Sequence, residues 1–309
     1  GQISAQGLLD VAMQSKKPYF YPIALLTEAG ISTSYNDITA KNRQNIPRVP
    51  FPPKERVGET YPEMVEAADL HQLSKDDLKK LAARMTLPAD HQSTFTNLEY
   101  DGNRFRYPLS KDRSLTRAIR MKEAEEYAAQ GIQFALTSYV GLDDPQTLRT
   151  IHETVEATQT SNATRNFSQR YMLGIPRGFP LPKIAEMLEK AKVLLDSPYI
   201  VGVDILGYET NKTKEFVKLL DDYARWANQH KPGSFIRVHA GENDKNHDNV
   251  KDFLKIAVKY PHLKFLVGHG LYGMDEETQK LAKRLCKNPE NPQLTVEYNP
   301  SSNIALNNI

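Results

Sequence analysis

The fold is decided by residues 235–270, which read FIRVHAGENDKNHDNVKDFLKIAVKYPHLKFLVGHG. Two short apolar runs, 235–239 and 264–268, enclose a segment whose apolar residues recur every three or four positions, from Val250 to Val258. That spacing predicts an amphipathic helix between two strands. Strand, helix and strand in this order predict a parallel strand pair, because the helix returns the chain to the end of the sheet where it started.

The same alternation extends over the second half of the chain. Its apolar runs predict six strands, at residues 132–140, 171–175, 200–206, 235–239, 264–268 and 294–298. Strands that are apolar throughout are typical of a parallel sheet buried on both faces. The class is therefore α/β, either a β/α barrel or a doubly wound sheet.

A regular spacing favours the barrel. His239, His269 and Asn299 each follow a predicted strand, and 30 residues separate each from the next. Polar residues at the carboxyl ends of successive strands are typical of barrel enzymes, which build their active sites there. We therefore predict a (β/α)8 TIM-type barrel. Six units are visible in the sequence, whereas a closed barrel needs eight.

The first part of the chain is less regular. We predict that residues 1–125 form a helical and loop region, an insertion or lid packed on the barrel, and that residues 126–309 form the central barrel units. Four prolines within residues 41–58 predict an extended loop. Residues 73–85 predict a helix capped by Ser74.

Composition excludes several functional classes. The 309 residues include 40 basic and 38 acidic side chains, so a net charge of +2 favours neither nucleic-acid nor membrane binding. A small-molecule partner is expected. The single cysteine, Cys286, cannot form an internal disulfide, which favours a reducing, cytoplasmic location. We expect Cys286 to pack inside a helix.

Two histidines and a glutamate are the candidate catalytic groups. His239 and Glu242 flank two small residues after one strand, and His269 follows the next strand between two glycines. A neutral imidazole can ligate zinc, and a nearby carboxyl group can act as general acid or base. The alternative is structural: a hydrogen-bonded histidine at a strand end, a glutamate that caps a helix, and a glycine-rich turn.

Taken together, four motifs resemble the adenosine deaminase family of zinc-dependent amidohydrolases. They are VGVDILGYE at 201–209, HAGE at 239–242, GHG at 268–270 and NPSSN at 299–303. The resemblance implies that His239 ligates one zinc ion and that Glu242 gives a proton to the purine ring. It further implies that His269 orients and deprotonates the attacking water, and that Gly207 anchors the purine through its amide.

The sequence also departs from the family pattern. That family has a His-x-His pair at its first strand and an Asp-Asp pair after its eighth, and this chain has neither at the matching places. Asp143 and Asp144 follow an early strand and are interpreted as a helix cap. We therefore expect this sequence to be the central part of a larger deaminase, and to be poorly soluble, zinc-poor and inactive when produced alone.

The leading functional hypothesis is zinc-dependent hydrolytic deamination of adenosine or a related adenine nucleoside or nucleotide. The alternative is a catalytically silent barrel that binds nucleosides or acts in assembly. A third interpretation, another amidohydrolase reaction, is less favoured because of Glu242 and Gly207. The cytidine-deaminase type is excluded, because its zinc signature requires more cysteines than one. Oligomeric state is left open.

Overall fold

The structure is a computed structural model that describes residues 3–16, 19–31, 64–85, 115–207, 209 and 211–299. The chain divides into two compact units. One consists of Gly1–Ile132 with Thr160–Asn166, and the other of Gln133–Gln159 with Phe167–Ile309. The predicted proline-rich loop at 41–58 lies outside the described residues.

The first unit is mostly helical. Its described elements are α1 (Ala5–Gln14), β1 (Phe20–Pro22), α2 (Ile23–Glu28), β2 (Met64–Glu66), a 3-10 helix (Ala67–Gln72), α3 (Lys75–Arg84), α4 (Thr116–Ala129) and a second 3-10 helix (Asn162–Thr164). Strands β1 and β2 pair antiparallel. The predicted cap is confirmed, since the Ser74 hydroxyl accepts from the Asp77 amide at 3.1 Å. Leu9, Leu26, Leu70 and Leu81 are fully buried in this unit's core.

The second unit alternates strand and helix. Its elements are β3 (Phe134–Tyr139), α5 (Thr147–Thr160), β4 (Ser168–Pro176), α6 (Leu181–Leu194), β5 (Ile200–Leu206), α7 (Thr213–His230), β6 (Phe235–Ala240), α8 (Asp248–Ala257), β7 (Lys264–His269), α9 (Glu276–Leu285) and β8 (Leu294–Glu297). All six predicted strands are confirmed, with ends that differ by a few residues. The predicted helix between β6 and β7 is α8.

Strand order identifies the architecture. The six strands lie side by side in the order β3 to β8, and each neighbouring pair is parallel. A doubly wound sheet reverses its strand order partway across, and this sheet does not. The sheet is curled, with the arrangement of part of a barrel. Within the described ranges β3 and β8 are its edges, so the complete eight-stranded barrel is not seen.

Apolar side chains explain why this sheet forms. Leu173, Val203, Ile236, Val238 and Phe265 are completely buried. The helices supply matching faces, as in α7, where the buried side chains recur at helical spacing. They are Phe216, Leu220, Tyr223, Ala224 and Ala227. Burying one such large side chain contributes roughly 1.5–3 kcal/mol to the free energy of folding. Several buried side chains therefore hold each helix on the sheet.

One sequence prediction about this unit is wrong. Cys286 does not pack inside a helix but follows the end of α9, where it is exposed. The helix ends there because the backbone of Cys286 leaves the helical region, with φ −101° and ψ 16°.

The Asp143–Asp144 pair lies in the turn before α5, and over the described residues it belongs to no group that could hold a metal ion. The Asp144 carboxylate accepts from the Gln146 amide at 2.9 Å, just before α5, as a turn-forming aspartate does. Asp143 pairs with Lys183 and Lys190.

The helices of the described segments include none long and apolar enough to cross a bilayer.

Candidate functional site

The three candidate catalytic side chains converge where β6 and β7 end. Ala240 pairs with His269 and His239 with Gly268, so both histidines lie at the carboxyl edge of the sheet. Their ring centroids are 5.3 Å apart. The Nε2 atom of His269 lies 3.5 Å from the Glu242 carboxylate, and both side chains are only 4% exposed. The structure therefore brings together the residues that the sequence singled out.

His269 has an unusual backbone. Its φ is +78°, in the left-handed region that residues other than glycine seldom adopt. Such strain costs on the order of 1–3 kcal/mol and persists where the surrounding structure enforces it, commonly at functional sites. Here it accompanies a buried ring that contacts both Glu242 and His239.

Gly241 allows the tight turn that follows β6. Its φ is +73°, and a Cβ at this position would lie 2.4 Å from the Tyr272 carbonyl oxygen. Its own carbonyl accepts from the amides of Leu271 and Tyr272, both at 3.0 Å. The turn after β6 is thus packed directly on the loop after β7, which fixes Glu242 relative to His269.

Replacing Gly241 by alanine is expected to destabilise the protein by about 2–4 kcal/mol, since strain and collision add. Gly233→Ala is the matched control, because Gly233 has φ +85° but no neighbour within 4 Å of the added Cβ. The control is expected to cost only about 1–2 kcal/mol. Urea unfolding of both variants measures the difference, and equal losses would show that the contact with Tyr272 is unimportant.

His239 is the most accessible of the three side chains. Its side chain is 27% exposed, and its Nε2 atom lies 3.6 Å from Oδ1 of Asp204 on β5. The ring packs on Gly268, where an added Cβ would lie 3.2 Å from His239 Cδ2. His239 therefore faces a buried carboxylate on one side and is open to solvent on another.

A network of polar side chains lies inside the curled sheet. Its central residue is Arg237, which precedes His239 by two positions on β6. Arg237 on β6 donates to Asp204 Oδ2 at 2.8 Å and to Glu297 on β8 at 3.1 Å. The Ser138 hydroxyl on β3 donates to the same Asp204 oxygen at 2.5 Å. This network joins four strands, and breaking a buried charge pair of this kind costs about 3–5 kcal/mol.

Asp204 is ionised in this setting. Burial alone raises the pKa of an aspartate, but His239 and Arg237 outweigh burial and hold the pKa of Asp204 well below its usual value. Its Oδ1 atom is buried and has no hydrogen-bond partner among the described residues. A buried, negatively charged oxygen that accepts no hydrogen bond and lies beside a histidine nitrogen can bind a cation.

The donors present fit part of a metal site. An imidazole nitrogen and a carboxylate oxygen are zinc ligands, and His239 and Asp204 offer both. A catalytic zinc site, however, uses three protein ligands. Over the described parts of the chain, no group of three histidine, cysteine, aspartate or glutamate side chains could hold a metal ion.

Two other predicted positions have different outcomes. Gly207 follows β5 directly, at the same edge of the sheet, with φ +98° and open space where a Cβ would lie. Its predicted contact with a purine stays a prediction. Asn299 follows β8 as expected, but the rest of the NPSSN motif lies outside the described residues.

Sequence reasoning gave no role to several charged residues that surround the site. Asp204 and Glu209 lie in the VGVDILGYE motif, Arg237 lies in the predicted strand 235–239, and Arg177 lies outside every motif. The available signal was a charged residue within an apolar strand, as in IVGVDIL and FIRVH. Such residues are almost never buried without a partner, so each indicates a polar contact inside the sheet.

Comparison with known proteins supports the fold. An adenine deaminase from Arthrobacter aurescens superposes with a TM-score of 0.52, over 100% of this chain and 73% of that protein. The chain has the fold of that deaminase. At 15% sequence identity the likeness extends to the fold alone. No protein-family model matches the sequence, and no curated protein matches it.

Proposed function

We propose that this chain carries much of the active site of a hydrolytic deaminase that acts on adenosine or a related adenine nucleoside or nucleotide. The observation that carries the proposal is the convergence of His239, Glu242 and His269 at the carboxyl ends of adjacent strands. Fold likeness to an adenine deaminase supports it, and the four motifs that resemble the adenosine deaminase family favour a nucleoside or nucleotide substrate.

Buried Glu242 and His269 suit proton transfer during this reaction. Glu242, in its protonated form, would donate to a ring nitrogen of the purine while water adds to the amino-bearing carbon. His269 would accept a proton from that water, which its contact with Glu242 and its fixed backbone orient. His269 would then pass its proton to the amino group, which leaves as ammonia, and the hydroxyl proton would return to Glu242, so that the carbonyl of the inosine-type product forms. General acid and base groups of this kind each contribute about 10²- to 10⁴-fold to the rate.

Zinc is the cofactor that this reaction implies. When bound, zinc lowers the pKa of water to about 7 and so supplies a nucleophile at neutral pH. His239 would hold the ion, with Asp204 beside it. Gly207 would contact the purine through its amide, at the open edge beside His239.

The second candidate function is a catalytically silent barrel that retains a nucleoside pocket. One observation favours it: the metal ligands found among the described residues are incomplete. Such a protein would bind an adenine compound without releasing ammonia.

Ammonia release from adenosine, adenosine monophosphate and adenine tests the proposal. With added zinc, we expect the full-length protein to release ammonia from one of the first two faster than from the free base, because the motifs resemble those of nucleoside deaminases. A Glu242→Gln protein is the negative control. Saturable binding of adenosine in a calorimeter, with no ammonia from any of the three compounds, would favour the silent barrel.

A further inference from the structure

Glu209 lies next to the candidate site and contacts the segment that carries Glu242. It follows Gly207 by two positions and is only 1% exposed. Its carboxylate accepts three hydrogen bonds, from the Gly241 amide at 3.0 Å, the Glu242 amide at 2.7 Å and the Asn249 side-chain amide at 2.6 Å. Two of these donors meet one carboxylate oxygen and the third meets the other, so both oxygens act as acceptors.

A buried cation balances this carboxylate. Arg177, which follows β4, is completely buried, and its guanidinium donates to the His239 carbonyl oxygen and to Asn211. Burial lowers the pKa of Arg177, while Glu209 and Glu242 oppose that effect. An arginine remains charged under these conditions. Residues 239–242 are therefore held at both ends. Arg177 donates to the carbonyl oxygen of His239, and Glu209 accepts from the amides of Gly241 and Glu242.

This arrangement determines where Glu242 can be. The peptide that carries Glu242 is anchored by a charge-assisted hydrogen bond, which is stronger than a neutral one. The Glu242 side chain extends from that anchored peptide to within 3.5 Å of His269. Displacement of a catalytic group by about 1 Å can cost on the order of 10²-fold in rate, so such an anchor has catalytic value.

We infer that Glu209 is a positioning residue that holds the peptide of Glu242 in place for proton transfer, without itself touching substrate. Its kinetic consequence rests on the proposed deamination. Its structural consequence, restraint of the Gly241 and Glu242 amides, does not.

Glu209→Gln is the decisive variant. Glutamine has the same size, but one of its two terminal atoms is an amide nitrogen. In the wild-type protein, Gly241 and Asn249 donate to one carboxylate oxygen of Glu209 and Glu242 donates to the other. The glutamine satisfies the most donors when its single oxygen takes the first of these two positions. Its NH₂ group then faces the Glu242 amide. A donor then faces a donor, and the hydrogen bond to Glu242 is lost.

Two measurements on the full-length protein follow. We expect kcat for deamination to fall about 10- to 100-fold with KM changed less than about threefold, because binding groups elsewhere are unaffected. We also expect hydrogen exchange at the Glu242 amide to accelerate on the order of tenfold or more, the equivalent of one charge-assisted hydrogen bond. Glu290→Gln, an exposed change in the loop between α9 and β8, is the control and should alter neither quantity.

The outcomes separate this inference from the proposed function. Faster exchange at Glu242 with unchanged kcat would overturn the positioning role. Unchanged exchange and unchanged kcat would overturn the whole inference. A wild-type protein without deaminase activity would contradict the proposed function and the kinetic part, while the exchange data would still decide the restraint.

Glu209→Asp keeps the charge on a shorter arm and provides a second variant. We expect it to recover part of the kcat lost in Glu209→Gln, with intermediate exchange at Glu242. If Glu209→Gln does not fold, Glu209→Asp with wild-type kcat and wild-type exchange would refute the inference.

Discussion

Glu242→Gln is expected to lower deamination by about 10²- to 10⁴-fold, the loss typical of a removed general acid. Glutamine fills the same buried space and keeps the backbone hydrogen bond from the Glu242 amide to Glu209. It cannot supply a proton to the purine ring. Steady-state ammonia release, with zinc content measured on the same samples, gives the result.

Zinc content should be unchanged in this variant, since Glu242 is not proposed as a ligand. Glu290→Gln again serves as the control for a glutamate-to-glutamine change elsewhere in the same unit. Near-normal turnover by Glu242→Gln would remove Glu242 from the mechanism. Loss of zinc together with activity would instead assign it to the metal site.

His239→Ala and His269→Ala are expected to fail in different ways. Changes to groups that only support a zinc ligand cost about 10- to 100-fold in metal affinity, so removal of His239 itself should cost at least about 100-fold. His269→Ala should keep its metal and lose about 10²- to 10⁴-fold in kcat through slower proton transfer. Zinc analysis after dialysis, beside the ammonia assay, distinguishes the two.

These roles rest on observed differences in environment. The His239 side chain is 27% exposed and lies beside the buried Asp204, whereas the His269 side chain is 4% exposed and lies beside Glu242. Equal zinc content and equal residual activity in the two alanine variants would show that we have divided the roles wrongly.

The barrel units were predictable because periodicity and strand ends are local properties. Apolar runs bounded by turn residues located all six strands, and the spacing of 30 residues placed His239 and His269 on neighbouring strand ends. Parallel order then follows from the crossover helices, because each returns the chain to the same edge.

The supporting contacts were not predictable in the same way. Arg237 meets Ser138 and Glu297 across gaps of 99 and 60 residues, and Glu209 meets Gly241 across 32. Such pairs depend on strand register and side-chain direction, which a single sequence does not specify. The left-handed backbone of His269 had no signal either, because its cause lies in tertiary packing.

Cys286 illustrates a different limit. Helical spacing continued up to it, and the error was the position of the helix end, which sequence patterns determine only within a few residues. One position changes a buried face into an exposed one, because successive helix residues lie about 100° apart.

The most direct test of the central claim uses water labelled with heavy oxygen. The full-length protein, supplied with zinc, is incubated with adenosine in this water, and the product is analysed by mass spectrometry alongside ammonia. Hydrolytic deamination predicts one heavy oxygen atom in each inosine molecule and one ammonia released with it, and almost none of either from Glu242→Gln. Recovery of unchanged adenosine, or ammonia release without heavy oxygen in the purine product, would contradict the account.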